Sequence, residues 1–288
     1  ICEPKAYLNE LMMDENSGLP SVKEVFDTTP YTILVVDDNP DMTDFLKRTF
    51  EGYFKRIIIA GDGVEALQLV RSHVPDIIVS DVMMPRMNGY ELCKTIKEDI
   101  AISHIPVILL TAKDDKQSLI SGYKNGADGY LSKPFEVEML MELIRNRLKN
   151  REYTKKRYLN AGLIPTPEES TISLTDETFL IKLNSIIQEN IDNTNLGIQF
   201  ICQEVGLGRS SLYNKLKALT GMGANEYISK LRIEKAITLI SGTDMPFSEI
   251  AEKTGFTTPS YFSTTFKQYT GETPSQYKER KKKGLTDQ

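Results

Sequence analysis

Between residues 31 and 150, short apolar runs alternate with amphipathic segments of helical period, and this alternation is the feature that most constrains the fold. Five runs rich in Ile, Val and Leu predict strands, at residues 32–36, 56–60, 76–80, 105–110 and 129–132. Helical segments separate them at 40–50, 64–72, 90–99 and 115–124, and a last one begins at Glu136. Five strand–helix repeats predict an α/β fold, a five-stranded parallel sheet with helices on both faces.

Polar residues follow these apolar runs, and the predicted sheet places them together. Ligands of open parallel sheets gather at the carboxyl ends of the strands. The residues at those ends are Asp37, Asp38, Asp81, Thr111 and Lys133. Carboxylates bind hard divalent cations, whereas Lys and Thr bind phosphoryl oxygens. The pattern therefore predicts a site that holds a divalent cation together with an anion.

The motifs VVDDN, SDVMMPRMNGYEL, ILLTAK and GADGYLSKPF carry these residues. In their order and spacing, residues 32–148 resemble the receiver domains of two-component response regulators. The resemblance implies a flavodoxin-like fold and transfer of a phosphoryl group from a histidine kinase to Asp81. It implies Mg²⁺ as cofactor, with the ligands Asp37, Asp38, Asp81 and the backbone carbonyl of Met83. It implies that the phosphoryl group is sensed by Thr111, Lys133 and Tyr130.

Hydrolases of the haloacid dehalogenase type also use phosphoaspartate chemistry, and the positions of the acids disfavour this alternative. Those enzymes carry an Asp-x-Asp motif after the first strand. Here the acids after the first strand are adjacent, and the isolated Asp81 follows the third strand. We therefore predict a regulator and not an enzyme.

The carboxyl-terminal third contains an internal repeat. Residues 206–221 match residues 255–271 with one extra residue in the second turn, so that Leu212 pairs with Phe262 and Leu216 with Phe266. Each copy predicts a helix, a Gly-containing turn and a second helix, which is the helix-turn-helix plan. Two copies joined by the amphipathic segment 224–241 predict an all-α domain. A helical array for protein binding is disfavoured, because such arrays usually need three or more units.

Residues 176–279 resemble the AraC/XylS DNA-binding domain through LRIEKAITLI and SEIAEKTGFTTPSYFSTTFKQYTGETPSQYK. The resemblance implies double-stranded promoter DNA as ligand. In the first unit Leu212, Leu216 and Leu219 form the apolar stripe, and the opposite face is expected to enter the major groove. The candidate DNA contacts of that face are Arg209, Ser210, Tyr213, Asn214 and Lys217, and those of the second unit are Thr258, Ser260, Ser263, Thr264 and Lys267.

The chemistry of these two faces predicts unequal roles. Arg209 suits guanine, Asn214 suits adenine, and Lys217 suits phosphate. The family often has Arg where this chain has Asn214 and Thr264. We therefore expect the hydroxyl-rich second helix to position the domain with modest base preference.

Composition and residue spacing also indicate the compartment and the domain boundaries of the chain. The net charge is −5, and three widely spaced cysteines and two isolated histidines fit neither a disulfide framework nor a zinc motif, which favours a reducing, cytoplasmic compartment. Cys93 and Cys202 are expected in cores. We predict an upstream linker at 1–30, the receiver at 31–150, a linker at 151–175 that begins as a charged helix running to about residue 159, and the DNA-binding domain at 176–288. A receiver joined to an AraC-type domain, in a chain that begins at Ile1 and not at Met, also resembles the tail of a hybrid two-component regulator. The resemblance implies a kinase and a periplasmic sensor upstream in the same polypeptide, so that this chain would be the cytoplasmic part of a membrane-anchored protein.

The patterns together predict a phosphorylation-dependent transcription regulator. Its expected partners are promoter DNA, a histidine kinase, a second copy of the chain when phosphorylated, and RNA polymerase as a further candidate. The alternative is a receiver that acts through protein contacts, with a carboxyl-terminal domain that has lost sequence-specific DNA binding. The two missing arginines are the feature that favours this alternative.

Overall fold

The computed structural model of the chain describes residues 26–112, 126–160 and 173–286. Its sheet has five strands in the order β2-β1-β3-β4-β5, and all neighbouring strands are parallel. The strands are β1 Thr32–Val36, β2 Arg56–Ala60, β3 Ile77–Asp81, β4 Val107–Ala112 and β5 Gly129–Lys133. The predicted five-stranded parallel sheet is confirmed.

Four described helices flank the sheet: α1 Pro40–Phe50, α2 Gly63–His73, α3 Gly89–Glu98 and α4 Val137–Asn160. Helices α1 and α4 pack on one face through residues such as Phe50 and Ile144, and α2 and α3 pack on the other through residues such as Val70 and Ile96. Both faces of the central strands are therefore buried, which explains why their sequences are continuous apolar runs. The helix predicted at 115–124 lies outside the described residues.

The start of β4 differs from the sequence prediction. The backbone N–H of Ile105 donates to the carbonyl of Ile102, so Ile105 belongs to a turn. The strand begins after Pro106 and runs through Thr111, which therefore lies inside the strand. An apolar run cannot separate a buried turn from a buried strand, because both favour Ile and Val.

Seven described helices form the carboxyl-terminal part: α5 Leu174–Glu189, α6 Ile198–Val205, α7 Arg209–Thr220, α8 Ala224–Gly242, α9 Phe247–Lys253, α10 Pro259–Thr270 and α11 Pro274–Thr286. The pairs α6–α7 and α9–α10 are the two predicted helix-turn-helix units. Helix α8 joins them, because Tyr227 and Leu231 lie in the core of the first unit while Ala236 and Ile240 lie in the core of the second.

The two units share their turn chemistry. Gly206 follows α6 with φ +75°, and Gly255 follows α9 with φ +72°. This left-handed conformation favours glycine, and the repeat places a glycine there in both copies. The two units therefore repeat at the level of backbone conformation as well as sequence.

The predicted charged helix after the receiver is confirmed, since α4 continues to Asn160. The last turns of α4 also pack against the first helix-turn-helix unit, because Tyr158 is buried in the core of that unit. Cys93 is buried as predicted, and burial raises the pKa of its thiol to about 12. Cys202 is only half-buried against its core, which corrects the expectation of a fully buried residue. No helix in the described ranges has the length and apolar character needed to cross a bilayer.

Candidate functional site

The carboxyl ends of β1, β3 and β5 bring two acids and one base into direct contact. The ammonium nitrogen Nζ of Lys133 lies 2.9 Å from Asp37 Oδ2 and 2.5 Å from Asp81 Oδ1. Both carboxylates are buried, whereas Lys133 is partly exposed. The structure thus places one ammonium between two acids that are far apart in sequence.

The protonation of Lys133 follows from these contacts. Burial alone would lower the pKa of its ammonium, but hydrogen bonds and charge from Asp37 and Asp81 outweigh burial and raise it. Lys133 is therefore a cation at neutral pH. Without it, two buried carboxylates would lie close together with no opposite charge between them, which is costly.

Backbone donors orient the two carboxylates. Asp37 Oδ1 accepts a hydrogen bond from the Asn39 N–H at 2.9 Å, and Asp81 Oδ2 accepts one from the Met83 N–H at 2.9 Å. Each acid thus uses one oxygen for the backbone and the other for Lys133. The loop after β3 is also close to α3, because a Cβ on Gly89 would lie 2.2 Å from the Asp81 carbonyl oxygen.

The other predicted site residues lie along the same edge. Asp38 is exposed beside Asp37, and Met83 follows β3 with an exposed side chain. Thr111 is buried in β4 and pairs with Ser132 of β5. The preceding residue of β4, Leu110, pairs with Asp81 of β3, so Thr111 lies next to the level of Asp81 in the sheet. Tyr130 is half-buried and packs against the core on the α2–α3 side of the sheet.

The donor set suits a hard cation in its chemistry. Carboxylate and carbonyl oxygens are the ligands of Mg²⁺, and the edge offers those of Asp37, Asp38, Asp81 and Met83. Within the ranges that the structure describes, no three Asp, Glu, His or Cys side chains converge as a metal site. A cation here would bind carboxylate oxygens that Lys133 now contacts.

Two residues beside this edge were missed by sequence reasoning. Asp62 begins α2 by accepting hydrogen bonds from the backbone of Val64 and Glu65, and its second oxygen is paired with Arg86. Arg86 has φ +64° in the loop between β3 and α3. An Asp before a helix is a recognisable cap signal, but nothing in the sequence indicates its pairing with Arg86.

The predicted DNA face of α7 is accessible. Arg209, Ser210, Tyr213 and Lys217 are exposed and Asn214 is partly exposed, while Leu212, Leu216 and Leu219 are buried as predicted. Arg209 donates to the Gln199 side chain at 3.0 Å. The first unit therefore presents a mixed basic and polar surface of the kind that contacts base edges and phosphates.

The predicted DNA face of α10 is also accessible, but its hydroxyls have local partners. Ser263 and Thr264 donate to carbonyls one turn earlier, at 2.9 and 3.1 Å, and Thr258 caps the helix by accepting from the Tyr261 N–H. Ser260 and Lys267 are exposed. Tyr261 is also exposed on this helix, but it is not among the candidate DNA contacts predicted from the sequence. An aromatic residue next to Phe262 is more typical of a buried core position.

Comparison with known proteins agrees with both halves of this architecture. The response regulator receiver domain family matches residues 33–145, and a helix-turn-helix domain family matches residues 201–280. The chain is 41% identical over 249 residues to histidine kinase P4 of Formosa agariphila, covering 86% of this chain and 18% of that protein. It is 36% identical over 165 residues to the response regulator MprA of a Mycobacterium species, covering 53% of this chain and 70% of that protein.

Two further similarities each cover less than half of the chain. The DNA-binding response regulator MtrA of Mycolicibacterium smegmatis is 37% identical over 136 residues, covering 47% of this chain and 58% of that protein. The receiver domain of the Francisella response regulator 1452 is 35% identical, with a TM-score of 0.39, and covers 42% of this chain and 98% of that one. The chain thus spans about a fifth of the kinase and less than two thirds of MtrA. The family matches and the match to MprA show that the chain belongs to the response regulators and joins a receiver domain to an AraC-type helix-turn-helix domain.

Proposed function

We propose that this chain is a phosphorylation-controlled transcription regulator of a two-component system, a regulator and not an enzyme. Phosphorylation of Asp81 would set the binding of the helix-turn-helix domain to promoter DNA. The observation that carries the proposal is the placement of Lys133 between Asp37 and Asp81 at the carboxyl edge of the sheet.

Asp81 is the proposed nucleophile. One of its carboxylate oxygens attacks the phosphorus of a phosphohistidine on the kinase, so that an O–P bond forms while the P–N bond breaks. The leaving imidazole nitrogen then takes a proton. Lys133, already in contact with Asp81 Oδ1, remains positively charged and neutralises charge on the phosphoryl oxygens.

The carboxylates of Asp37, Asp38 and Asp81 and the carbonyl of Met83 would hold Mg²⁺, which when bound neutralises charge on the transferring phosphoryl group. In that role Asp37 would share its oxygens between the cation and Lys133. The Met83 N–H orients Asp81 by donating to its Oδ2.

Thr111 and Tyr130 are the proposed reporters of phosphorylation. The Thr111 hydroxyl would donate to a phosphoryl oxygen, and Tyr130 would pack further inward. The change would favour a receiver homodimer that presents two DNA-binding domains to adjacent half-sites, with RNA polymerase as a further candidate partner. The size of this shift is limited by the free-energy difference between the two receiver states.

The proposed phosphodonor is a histidine kinase, and the similarity to a protein named histidine kinase P4 supports this partner. The proposed output surface is the exposed face of α7, with Arg209 and Asn214 reading bases and Lys217 holding phosphate. The face of α10 would position the second unit.

Labelling with acetyl phosphate tests the acceptor assignment. We expect the chain to incorporate phosphoryl groups in the presence of Mg²⁺ and Asp81→Asn to incorporate none. The matched control is Asp44→Asn, because Asp44 is an exposed acid on α1. If Asp81→Asn is labelled like the parent chain, Asp81 is not the acceptor.

A receiver that acts through protein contacts is the second candidate, and one observation favours it. The hydroxyls of Ser263 and Thr264 donate within their own helix, and arginines are missing at positions 214 and 264. Competition in a salt titration distinguishes the two, because sequence-specific binding should persist above a steeply salt-dependent background. If no duplex outcompetes random DNA at any salt concentration, the second candidate is favoured.

A further inference from the structure

A loop of the receiver reaches into the first helix-turn-helix unit. We call residues 99–106 the junction loop. It precedes β4, so it lies at the amino end of the strand that carries Thr111 near its carboxyl end. Its residue Ser103 is 1% exposed, and its Oγ lies 2.7 Å from both Asp176 Oδ1 and Lys215 Nζ. Asp176 lies in the first turn of α5, Lys215 lies on α7, and the two side chains are themselves paired.

Further contacts surround this polar junction. The Thr175 hydroxyl donates to the Lys97 carbonyl at 3.2 Å. Lys97 in turn supports the junction loop, since its Nζ donates to the carbonyls of Ser103 and Ile105 at 3.2 and 2.8 Å. Ile100 and Ala101 of the loop also pack against the core of the first unit. The loop therefore contacts this unit through both polar and apolar groups.

Lys215 is the member of the junction that connects it to DNA recognition. It lies two residues from both Tyr213 and Lys217, and two residues of an α-helix turn through about 200°. Lys215 faces the receiver and is fully buried, whereas Tyr213 is 54% exposed and Lys217 is also exposed. The receiver thus contacts α7 from behind and leaves its candidate DNA face open.

We propose that the junction loop is a positioning surface for the recognition helix α7, with Ser103 as its central positioning residue, and that this docked arrangement is the one that binds DNA. The inference rests on the proposed function and adds how the receiver is connected to the DNA-contacting helix. Arg209, Tyr213 and Lys217 are exposed in the docked arrangement, so the receiver does not cover these candidate DNA contacts of α7.

The location of the junction determines what phosphorylation can do through it. Asp81 and Lys133 lie at the carboxyl edge of the sheet, and the junction loop lies at the opposite end of β4. Phosphorylation therefore has no direct contact with the junction. In the docked arrangement, the geometry of a receiver dimer would set the spacing of its two α7 helices.

Two sets of substitutions open the junction without touching the candidate DNA contacts. Ser103→Leu replaces a buried hydroxyl that faces Asp176 and Lys215 by a larger apolar side chain. The double variant Ser103→Ala with Thr175→Val removes the three hydrogen bonds that these two hydroxyls make across the junction, with little change of shape. It keeps the Asp176–Lys215 pair. The control is Gln68→Leu, which adds the same side chain at an exposed position of α2.

Hydrogen exchange and DNA affinity are measured on the full chain after acetyl phosphate treatment. The probe is the duplex that the phosphorylated parent chain enriches from a random-sequence pool. We expect faster exchange at residues 99–106 and 213–220 in Ser103→Leu and in the double variant. We expect Ser103→Leu to weaken binding of the enriched duplex by about fivefold or more, the double variant to change it in the same direction, and Gln68→Leu to leave both readouts unchanged.

Three results would overturn the inference. Tighter binding by the unphosphorylated variants would show that the contact inhibits DNA binding. Unchanged affinity despite faster exchange would show a passive contact, and unchanged exchange in both variants would show that Ser103 does not hold the junction. If Ser103→Leu loses its cooperative unfolding transition, the double variant decides. Failure of the parent chain to enrich any duplex would instead contradict the proposed function itself.

Discussion

At the level of single residues, the adjacent acids Asp37 and Asp38 differ, since Asp37 is buried and Asp38 is exposed. The sequence placed them with Asp81 and Lys133 at one edge of the sheet, because strand ends can be located from apolar runs alone. It could not show that Lys133 contacts Asp37 and Asp81 together while Asp38 stays exposed. That arrangement depends on side-chain conformations and on the register of strands far apart in sequence. Two neighbouring acids therefore have different environments.

This difference predicts different effects on stability and similar effects on metal binding. Asp37→Ala should lower the metal-free free energy of unfolding by about 2 kcal/mol, because it removes a charged hydrogen bond to Lys133. Asp38→Ala should leave it nearly unchanged. Both should weaken Mg²⁺ binding measured by calorimetry, and Asp44→Ala serves as the control. Unchanged Mg²⁺ affinity in both variants would contradict the metal assignment.

The burial of His104 predicts how the stability of the chain depends on pH. It is buried, neither ring nitrogen has a hydrogen-bond partner among the described residues, and burial together with Arg151 and Lys215 holds its pKa well below the ordinary value. Below about pH 6.5 the unfolded chain binds a proton that the folded chain does not, so His104 lowers stability as the pH falls.

Replacing His104 by Leu tests this. The stability of the parent relative to His104→Leu should fall by up to about 1.4 kcal/mol for each pH unit below about pH 6.5, as measured by urea unfolding. Above that pH the difference should be constant. A difference that does not change with pH would mean that His104 gains a proton as easily in the folded chain as in the unfolded one.

At the level of elements, local signals located the receiver helices α1, α2 and α3 to within one residue at each end. Helices α1, α2 and α3 begin after Asn39, Asp62 and Asn88, whose side chains accept backbone hydrogen bonds as N-caps. The repeat in turn identified both helix-turn-helix units. The start of β4 and the burial of Tyr158 were missed, because both depend on contacts between distant segments.

The repeated turn glycines give a prediction with an internal control. Gly206 and Gly255 both have positive φ, but an added Cβ meets nothing within 4 Å at Gly206. At Gly255 it would lie 2.3 Å from the Ile191 carbonyl oxygen and 2.7 Å from the Arg232 guanidinium. Gly206→Ala should therefore lower the free energy of unfolding by about 1 kcal/mol, because alanine disfavours the left-handed backbone conformation.

We expect Gly255→Ala to lose about 3 kcal/mol or more in urea unfolding, because steric overlap with backbone is added to the same conformational cost. Far-ultraviolet circular dichroism should show whether the second unit keeps its helices. Equal losses in the two variants would indicate that the turn of the second unit can relax away from Ile191.

At the scale of the whole molecule, three packed regions are linked in series. The receiver contacts the first helix-turn-helix unit through Ser103 and Tyr158, and α8 carries the connection to the second unit. The sequence predicted the two architectures and their order. It gave no sign of the contact between them, because Ser103 is a small residue in a mostly apolar turn and Lys215 lies in a helix rich in exposed polar residues.

In the proposed function, phosphorylation of Asp81 controls sequence-specific DNA binding. Its most direct test is the affinity of the full chain for its enriched duplex, against excess random DNA, with and without acetyl phosphate. We predict that phosphorylation tightens binding of the parent chain by about tenfold or more and that Asp81→Asn shows no response. Equal affinity of the phosphorylated and unphosphorylated parent, or an equal response of Asp81→Asn, would contradict the claim.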